Sequence, residues 1–529
     1  MSGAEPTILF LMRNLYYLRN FERPIRALAE RGYRIAILAD VSKGLPAEID
    51  EQARRLGGDH PGRIAFGPLR RRRDFRRFLA DEIHSGRDIL RYYTPSFRGA
   101  GKLRQRAMAK ASPLARLAFA RESYWDEARN RRAEQRLARW DEALPVDRSI
   151  AARISGIAPQ LLIVTPLVDL RSTQIDWVRA ARSLGIPTVL AVASWDNLTS
   201  KSRIQVMTDR VLVWNEIQKR EVVELHGAPA DAVAITGAQL YDDWFERSPS
   251  QNREAFCRAL GFDPARPIVL YAGSSQAIAG DEPAFVHRWI AAIRASDDET
   301  LRAANILVRP HPMNQGGYAS LDVNELGPTA VHPLTGGLPV TERDRAVYFD
   351  SLHHCGLLVG LNTSALVEAS ILGKRCFTIR DGANAGGQED TIHYHYLTAG
   401  RILHESADLG DHLKSIAAAL ADGADGRGAT AAFVREFIRP HGLDVPATPI
   451  FADAVESAIA LGAGKVASPR RSLALRIGLD IAAMTLFATV GALRLARKLA
   501  RGPRQGATKR ALPVLPESPT TFGAERRAD

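Results

Sequence analysis

The chain has 529 residues, with 71 Lys and Arg against 59 Asp and Glu, a formal net charge of +12, and 46% hydrophobic and 25% charged residues. That length exceeds what one hydrophobic core organises, and that composition excludes a disordered or fibrous chain. Three isolated cysteines, Cys257, Cys355 and Cys376, exclude a disulfide framework and a cysteine-rich metal motif, and imply a reducing cytoplasm.

The first apolar run, residues 7–12, is strand-sized and too short for the core of a signal peptide, so none is expected. Phe21, Ile25, Leu28 and Ala29 at helical spacing predict a helix over 20–31, which Gly32 closes before a second strand over 33–39. A βαβ start of this kind predicts a parallel sheet. The loop between first strand and helix then faces the ligand crevice, where Arg13, Asn14 and Asn20 are candidates to touch a ligand.

Residues 70–144 read as mostly helical with a break near 92–101, a helical insert or flap. Strand 160–164, helix 173–184 and strand 187–193 resume the alternation. That last strand ends in Ser194-Trp195-Asp196-Asn197. Asp196 there is placed to deprotonate a hydroxyl, Asn197 to hold one and Trp195 to stack on a ring; the alternative is an Asx turn with Trp195 in the core. Strand 209–214, helix 216–225 and strand 233–236 follow, and the polar stretch 248–253 reads as a linker.

A second α/β unit begins with strand 267–272, closed by Gly273-Ser274-Ser275. Helix 285–296, strands 306–309, 346–349 and 357–359, helix 365–372, strand 375–379 and closing helices 409–421 and 429–438 complete it. The expected fold class is α/β, with two doubly wound, Rossmann-like domains over 1–247 and 254–460 facing a cleft.

Two strand ends carry the densest chemistry. After strand 357–359, Thr363 and Ser364 occupy N-cap positions, and backbone N–H groups at a helix start bind anions. Glu368, one turn further on, reaches a sugar or ribose hydroxyl there, although a carboxylate in a first turn also simply suits the helix dipole. After strand 306–309, Arg309-Pro310-His311-Pro312 supplies a forked cation and an imidazole. His311 would donate to phosphate and, as imidazolium, offset leaving-group charge. The segment 386–396 offers Glu389 and His393 as contacts to a base or sugar, against a bland alternation along a strand. His393 and His395 lack a third ligand, so no metal site is expected, and no other cofactor either.

Two Rossmann-like halves, the Gly273-Ser274-Ser275 loop, Arg309-Pro310-His311-Pro312 and Asn362-Thr363-Ser364 followed by Glu368 resemble glycosyltransferases of the GT-B fold. The likeness is to the branch holding capsule and teichoic-acid polymerases, Kdo and sialic-acid transferases and non-hydrolysing sugar-nucleotide 2-epimerases, and it covers roughly residues 7–440. The resemblance implies that His311, Thr363, Ser364 and Glu368 sit at a nucleotide-linked donor. It implies an enzyme moving a sugar or alditol phosphate to a cell-surface glycan or lipid-linked acceptor. A sugar-nucleotide epimerase and a non-catalytic binding or scaffold protein of the same fold are the alternatives.

Charge is concentrated in two places. Between Arg70 and Trp140 there are 20 basic and 8 acidic residues, and between Pro469 and Arg510 there are 10 basic and one acidic. Either an anionic partner surface or Arg-rich solvated faces would account for this. A nucleic-acid partner is the weaker expectation, because aromatics are sparse in the first segment. Residues 473–499 read as one helix with Arg476, Asp480, Arg494, Arg497, Lys498 and Arg501 in a sector about 100° wide. Its uninterrupted apolar run, 481–493, falls short of the roughly 20 residues that span a bilayer. The expectation is an amphipathic helix within 469–502 lying on an anionic membrane surface, with a disordered tail over 503–529, and the protein attached to the inner face of the cell membrane. Spanning the bilayer or packing on the protein are the alternatives.

Overall fold

Runs such as Ile8–Met12 and Ile268–Ala272, apolar at nearly every position, do not suit strands with one face in water. Covered by helices on both faces, they form two parallel sheets. The computed structural model describes residues 5–42, 44–275, 278–279, 281–312, 314–319, 323, 325–334, 339–380, 387–399, 402–423, 426–462 and 473–500. The expected tail, 503–529, and the positions 469–472 lie outside the described residues.

The N-terminal sheet holds β1 (Thr7–Met12), β2 (Arg34–Ala39), β3 (Ile64–Pro68), β4 (Leu161–Thr165), β5 (Thr188–Ala191), β6 (Arg210–Val213) and β7 (Val233–Ile235), in the order β3-β2-β1-β4-β5-β6-β7. The C-terminal sheet holds β8 (Ile268–Ala272), β9 (Asn305–Arg309), β10 (Thr329–Val331), β11 (Leu357–Val359), β12 (Arg375–Ile379) and β13 (Leu403–Ser406), in the order β10-β9-β8-β11-β12-β13. Both are doubly wound. The chain runs outward from β1 or β8, then restarts on the other side at β4 or β11, and adjacent loops diverge at each switch point to leave a crevice.

One expected element is overturned. Residues 346–349, read as a strand, lie inside the helix Glu342–His354. Thr341 caps it by accepting from the Asp344 N–H at 3.1 Å, and the charged run Glu342–Arg345 begins it, so the short apolar run continues a turn already started. The segment around His393 is likewise no strand: Ile392–Tyr394 is a 3-10 turn and His395–Thr398 a single helical turn. The helix Ala447–Leu461, counted by sequence with the second half, packs on the N-terminal sheet. Phe451 meets Phe21 at 6.0 Å between ring centres, and Arg31 pairs with Asp453 and Glu456.

The basic segment is helical, as expected, with helices Arg77–Arg91, Gly101–Lys110, Pro113–Ala118 and Glu127–Ala143. Several of its arginines serve the fold. Asp141, 1% exposed, accepts from Arg87 at 3.0 Å and contacts His84 at 2.8 Å, and it pairs with Arg179 of the helix Gln174–Ser183. Arg87 also grips Glu134 at 3.0 Å, and Arg72 joins Asp74, Asp176 and the Pro145 carbonyl. Burial alone would raise the Asp141 carboxyl, but the charges of Arg179, His84 and Arg87 override it and hold the group well below the usual carboxylate range.

Replacing Asp141 by Asn strands buried cations without their anion, and should cost about 3–5 kcal/mol of unfolding free energy at neutral pH. Because the folded pKa is depressed, the wild type's advantage is complete above the unfolded carboxylate value near about 4 and is lost as pH falls through and below it. Urea melts of both proteins between about pH 7 and pH 3 check both points; equal stability at pH 7 would show that the cluster contributes nothing.

Candidate functional site

The switch point of the C-terminal sheet gathers most of the residues singled out in its half of the sequence. Gly273 ends β8, and its N–H donates to the Arg309 carbonyl at 2.9 Å, drawing the ends of β8 and β9 together. A Cβ at Gly273 would lie 2.9 Å from the His311 backbone nitrogen and 3.3 Å from the Arg309 oxygen, so this approach needs glycine. Gly360, ending β11, is nearly as tight, with a Cβ at 3.1 Å from the Ala272 oxygen. Buried Ser274 donates its N–H to Glu282 at 2.8 Å, and the Tyr271 hydroxyl donates to the same carboxyl at 3.0 Å. Ser274 Oγ accepts from the Asn362 N–H at 3.3 Å, which ties the β8 loop to the β11 loop. Burial raises Glu282 to about 7 despite these donors. Ser275 accepts from the Ile278 N–H at the outer end of the loop.

Around this cradle stand His311, Thr363, Ser364 and Glu368. The helix Ala365–Ile371 has Ser364 at its N-cap with no side-chain capping bond, so the cap hydroxyl is turned to other partners. Glu368 accepts from the Tyr348 hydroxyl, and Arg309 lies over the Tyr348 ring at 4.7 Å while donating to Ser351 Oγ at 3.2 Å. Burial lifts Glu368 to about 7, against the pull of Tyr348, Arg19 and Arg309. Burial, reinforced by Arg19, lowers His311 to about 4. With no anion beside it, the ring is uncharged at neutral pH and acts as a hydrogen-bonding group. Arg19, at the start of the N-terminal helix Leu18–Glu30, acts electrostatically on both His311 and Glu368 from the opposite domain.

The N-terminal wall is arranged differently from expectation. Trp195 is 4% exposed. Its indole N–H donates across the cleft to Ser364 Oγ at 3.3 Å, and its ring meets His393 edge-on at 5.0 Å. It joins the domains and offers no open face for stacking. Asp196 accepts from Ser194 at 2.6 Å and Ser200 at 2.7 Å. Burial would raise its pKa, yet Lys201, His393 and the two hydroxyls hold it well below the usual range. So acidic a carboxyl is a weak base. Buried Asn197 turns its amide inward, to the Ala193 N–H and to Asp196. Asn20 lies inside the helix Leu18–Glu30 and donates to the Ala193 carbonyl at 2.7 Å. Asn14 caps the turn Leu15–Tyr17 by accepting from Tyr16, and Arg13 pairs with Asp169.

His393 is buried against Trp195 and 3.3 Å from Thr199 Oγ1, whereas Glu389 is exposed beside Arg380 at 3.8 Å, outside the cradle. Among the described residues no group of three His, Cys, Asp or Glu is placed to hold a metal.

Sequence reasoning missed Arg19, Lys201, Tyr348, Glu282 and Gln388. Burial lowers the Lys201 pKa less than Tyr17, Asp196 and Asp169 raise it, so the ammonium stays charged at the base of the cleft. Gln388 donates to Leu361, Thr378 and Ile379, each at 3.2 Å, and fixes the loop beside Asn362. A charged residue at the exposed end of the first βα loop was the one available signal for Arg19.

No family model matches the chain, and no curated protein matches it. Among solved structures, a UDP-GlcNAc 2-epimerase from Neisseria meningitidis bound to UDP-GlcNAc superposes with a TM-score of 0.50 at 10% identity, over 85% of this chain and 100% of that one. A Listeria monocytogenes protein provisionally classed as a UDP-N-acetylglucosamine 2-epimerase gives 0.51 at 10%, over 87% and 98%. A glycosyltransferase from Rickettsia africae gives 0.49 at 9%, over 86% and 99%. At such identities a likeness concerns the fold, and function has to be argued from the site. The chain thus has the GT-B fold, two Rossmann-like domains facing a cleft, which it shares with nucleotide-sugar epimerases.

Proposed function

We propose that the chain is an enzyme of nucleotide sugars, and specifically a glycosyltransferase that moves a sugar or alditol phosphate from a nucleotide-linked donor to a cell-surface glycan or lipid-linked acceptor. The observation that carries this reading is the convergence of Gly273, His311, Thr363, Ser364 and Glu368 at the β8/β11 switch point, with Arg19 arriving from the opposite domain.

In this reading the glycine-lined strand ends let a diphosphate approach the backbone closely, and Arg19 supplies its countercharge. His311, neutral when the site is empty, donates a hydrogen bond to the leaving phosphate. An anion beside it would also favour its protonated form as charge develops. Glu368 exchanges its Tyr348 contact for a ribose or sugar hydroxyl. Lys201 and Arg13 stand on the N-terminal wall beside Asp196 and Asp169, and would turn toward the donor's phosphates when it binds. Asp196 holds Lys201 and the Trp195 loop in place rather than acting as the base. A cytoplasmic enzyme on the inner face of a membrane suits a lipid-borne acceptor.

The second reading, epimerisation of a nucleotide sugar, is favoured by the likeness to the Neisseria enzyme bound to UDP-GlcNAc. The two separate cleanly on incubation with UDP-GlcNAc alone. An epimerase inverts a ring carbon without an acceptor, whereas a transferase leaves the sugar unchanged or releases it slowly to water.

A nucleotide diphosphate or nucleotide sugar at a hundred times its dissociation constant should stabilise the protein by about 2.7 kcal/mol, read as a shift in thermal unfolding. His311→Ala and Glu368→Ala should each lose most of that shift while unfolding cooperatively. No shift with any nucleotide sinks both enzyme readings.

Gly273→Ala should force the β8 and β9 ends apart at a cost of about 1–3 kcal/mol, and weaken nucleotide binding by roughly tenfold or more. Calorimetric titration of the folded variant tests it; unchanged affinity would place the ligand elsewhere.

A further inference from the structure

The C-terminal helix Leu473–Ala500 has two apolar faces, and the fold covers only one of them. Taking 100° per residue, Leu475, Leu479, Ala483 and Leu486 share one side. Leu479 and Ala483 are buried there, and Leu475 and Leu479 join the core of the insert with Ile83, Leu90 and Leu137. The docking is fixed by a fork in which Arg76 donates to both oxygens of Asp480, at 2.6 and 2.7 Å, and by Phe78 against Phe487 at 5.9 Å. On the opposite side Leu473, Ile477, Ile481 and Met484 fall within about 80° of one another and are 52–70% exposed.

By length and composition alone, Leu473–Val490 is apolar enough to cross a membrane, and only 11% of it is buried. Crossing, however, would pull Asp480 into hydrocarbon and break its fork with Arg76, a transfer that the fold gives no means to offset. The neighbouring surface supplies the other half of the argument. The helix Glu127–Ala143, against which the C-terminal helix packs, exposes Arg132, Arg136 and Arg139. An open apolar stripe on a helix docked to an arginine-bearing insert complements lipid chains beneath anionic headgroups.

We propose that the helix Leu473–Ala500 stays docked on the basic insert and lies in the interface of an anionic bilayer, with Leu473, Ile477, Ile481 and Met484 dipping into the acyl chains. The protein is held on one leaflet, and its insert is the platform. This stands independently of the nucleotide chemistry.

The full chain should float with vesicles containing roughly a third phosphatidylglycerol, bind neutral phosphatidylcholine vesicles far less, and be released from membranes by alkaline carbonate. Ile481→Glu with Met484→Glu should weaken partitioning about a hundredfold, with the thermal unfolding curve unchanged. Arg76→Glu should loosen the docked helix, seen as faster amide exchange over 475–486, and the exchanged pair Arg76→Glu/Asp480→Arg should restore protection. Three results would each overturn the proposal: vesicle binding indifferent to the double glutamate variant, resistance to carbonate extraction, or no preference for anionic lipid.

Discussion

Parallel strands covered by helices on both faces leave a ligand only the ends of the strands, and the polar chemistry of this protein is organised by that constraint. Ile8–Met12 and Ile268–Val269-Leu270 admit no polar group within the sheet, so charge collects where the strands stop. Because both sheets have the same winding, two crevices face each other, and residues distant in sequence such as Arg19 and Glu368 come within electrostatic reach. Glycine at 273 and 360 lets the strand ends close to backbone contact; any side chain at 273 would push the His311 loop outward.

Burial then sets the protonation of what lines the crevice. Glu282 and Glu368 are both lifted to about 7 and His311 is lowered to about 4, so the C-terminal wall carries less charge at physiological pH than the same side chains would in water. The N-terminal wall keeps its charges: Lys201 remains protonated and Asp196 ionised because each holds the other. A wall of reduced charge on one side and ion-paired groups on the other, with Arg19 acting across the cleft on His311 and Glu368, suits an anion whose charge increases during reaction. Proton abstraction by Asp196 fits it poorly, because the contacts that stabilise that carboxylate also remove its basicity.

The central strands were legible because burial on both faces leaves an uninterrupted apolar run, as in β1, β4 and β8. The strands left unread, β3, β10 and β13, all lie at sheet edges, where one side is open and the run is broken by Gly67 and Pro68 or by His404 and Glu405. The short run at 346–349 looked like a strand because four apolar residues carry too little periodicity to tell the two apart, and the capping Thr341 decided the matter. Within the site, Gly273, His311 and Glu368 were visible because strand-end chemistry is local. Tyr348 and Arg19 were not, since their role exists only after helix and domain packing. Trp195 and Asn197 were read from the correct loop, but their burial, which turns them inward, is a property of the closed cleft.

The insert connects these parts. Its helix Arg77–Arg91 is flanked at one end by Arg76, which grips the C-terminal helix through Asp480. Toward the other end Arg91 donates to the Leu198 carbonyl at 2.5 Å, and the adjoining Tyr92 hydroxyl donates to the Lys201 carbonyl at 2.6 Å. Those two carbonyls belong to the loop that carries Trp195, Asp196 and Lys201. Between the ends, Arg87, Asp141, Glu134 and Arg179 form a buried charge cluster in which each ion's desolvation is offset only while its partners stay in place. Such a cluster resists bending, because any displacement leaves a charge unpaired in low dielectric. A helix held in this way transmits position. The surface that carries the apolar C-terminal helix and the loop that forms the N-terminal wall of the cleft are fixed relative to each other by the same buried ions, so a protein seated on a bilayer through one would present the other at a set orientation.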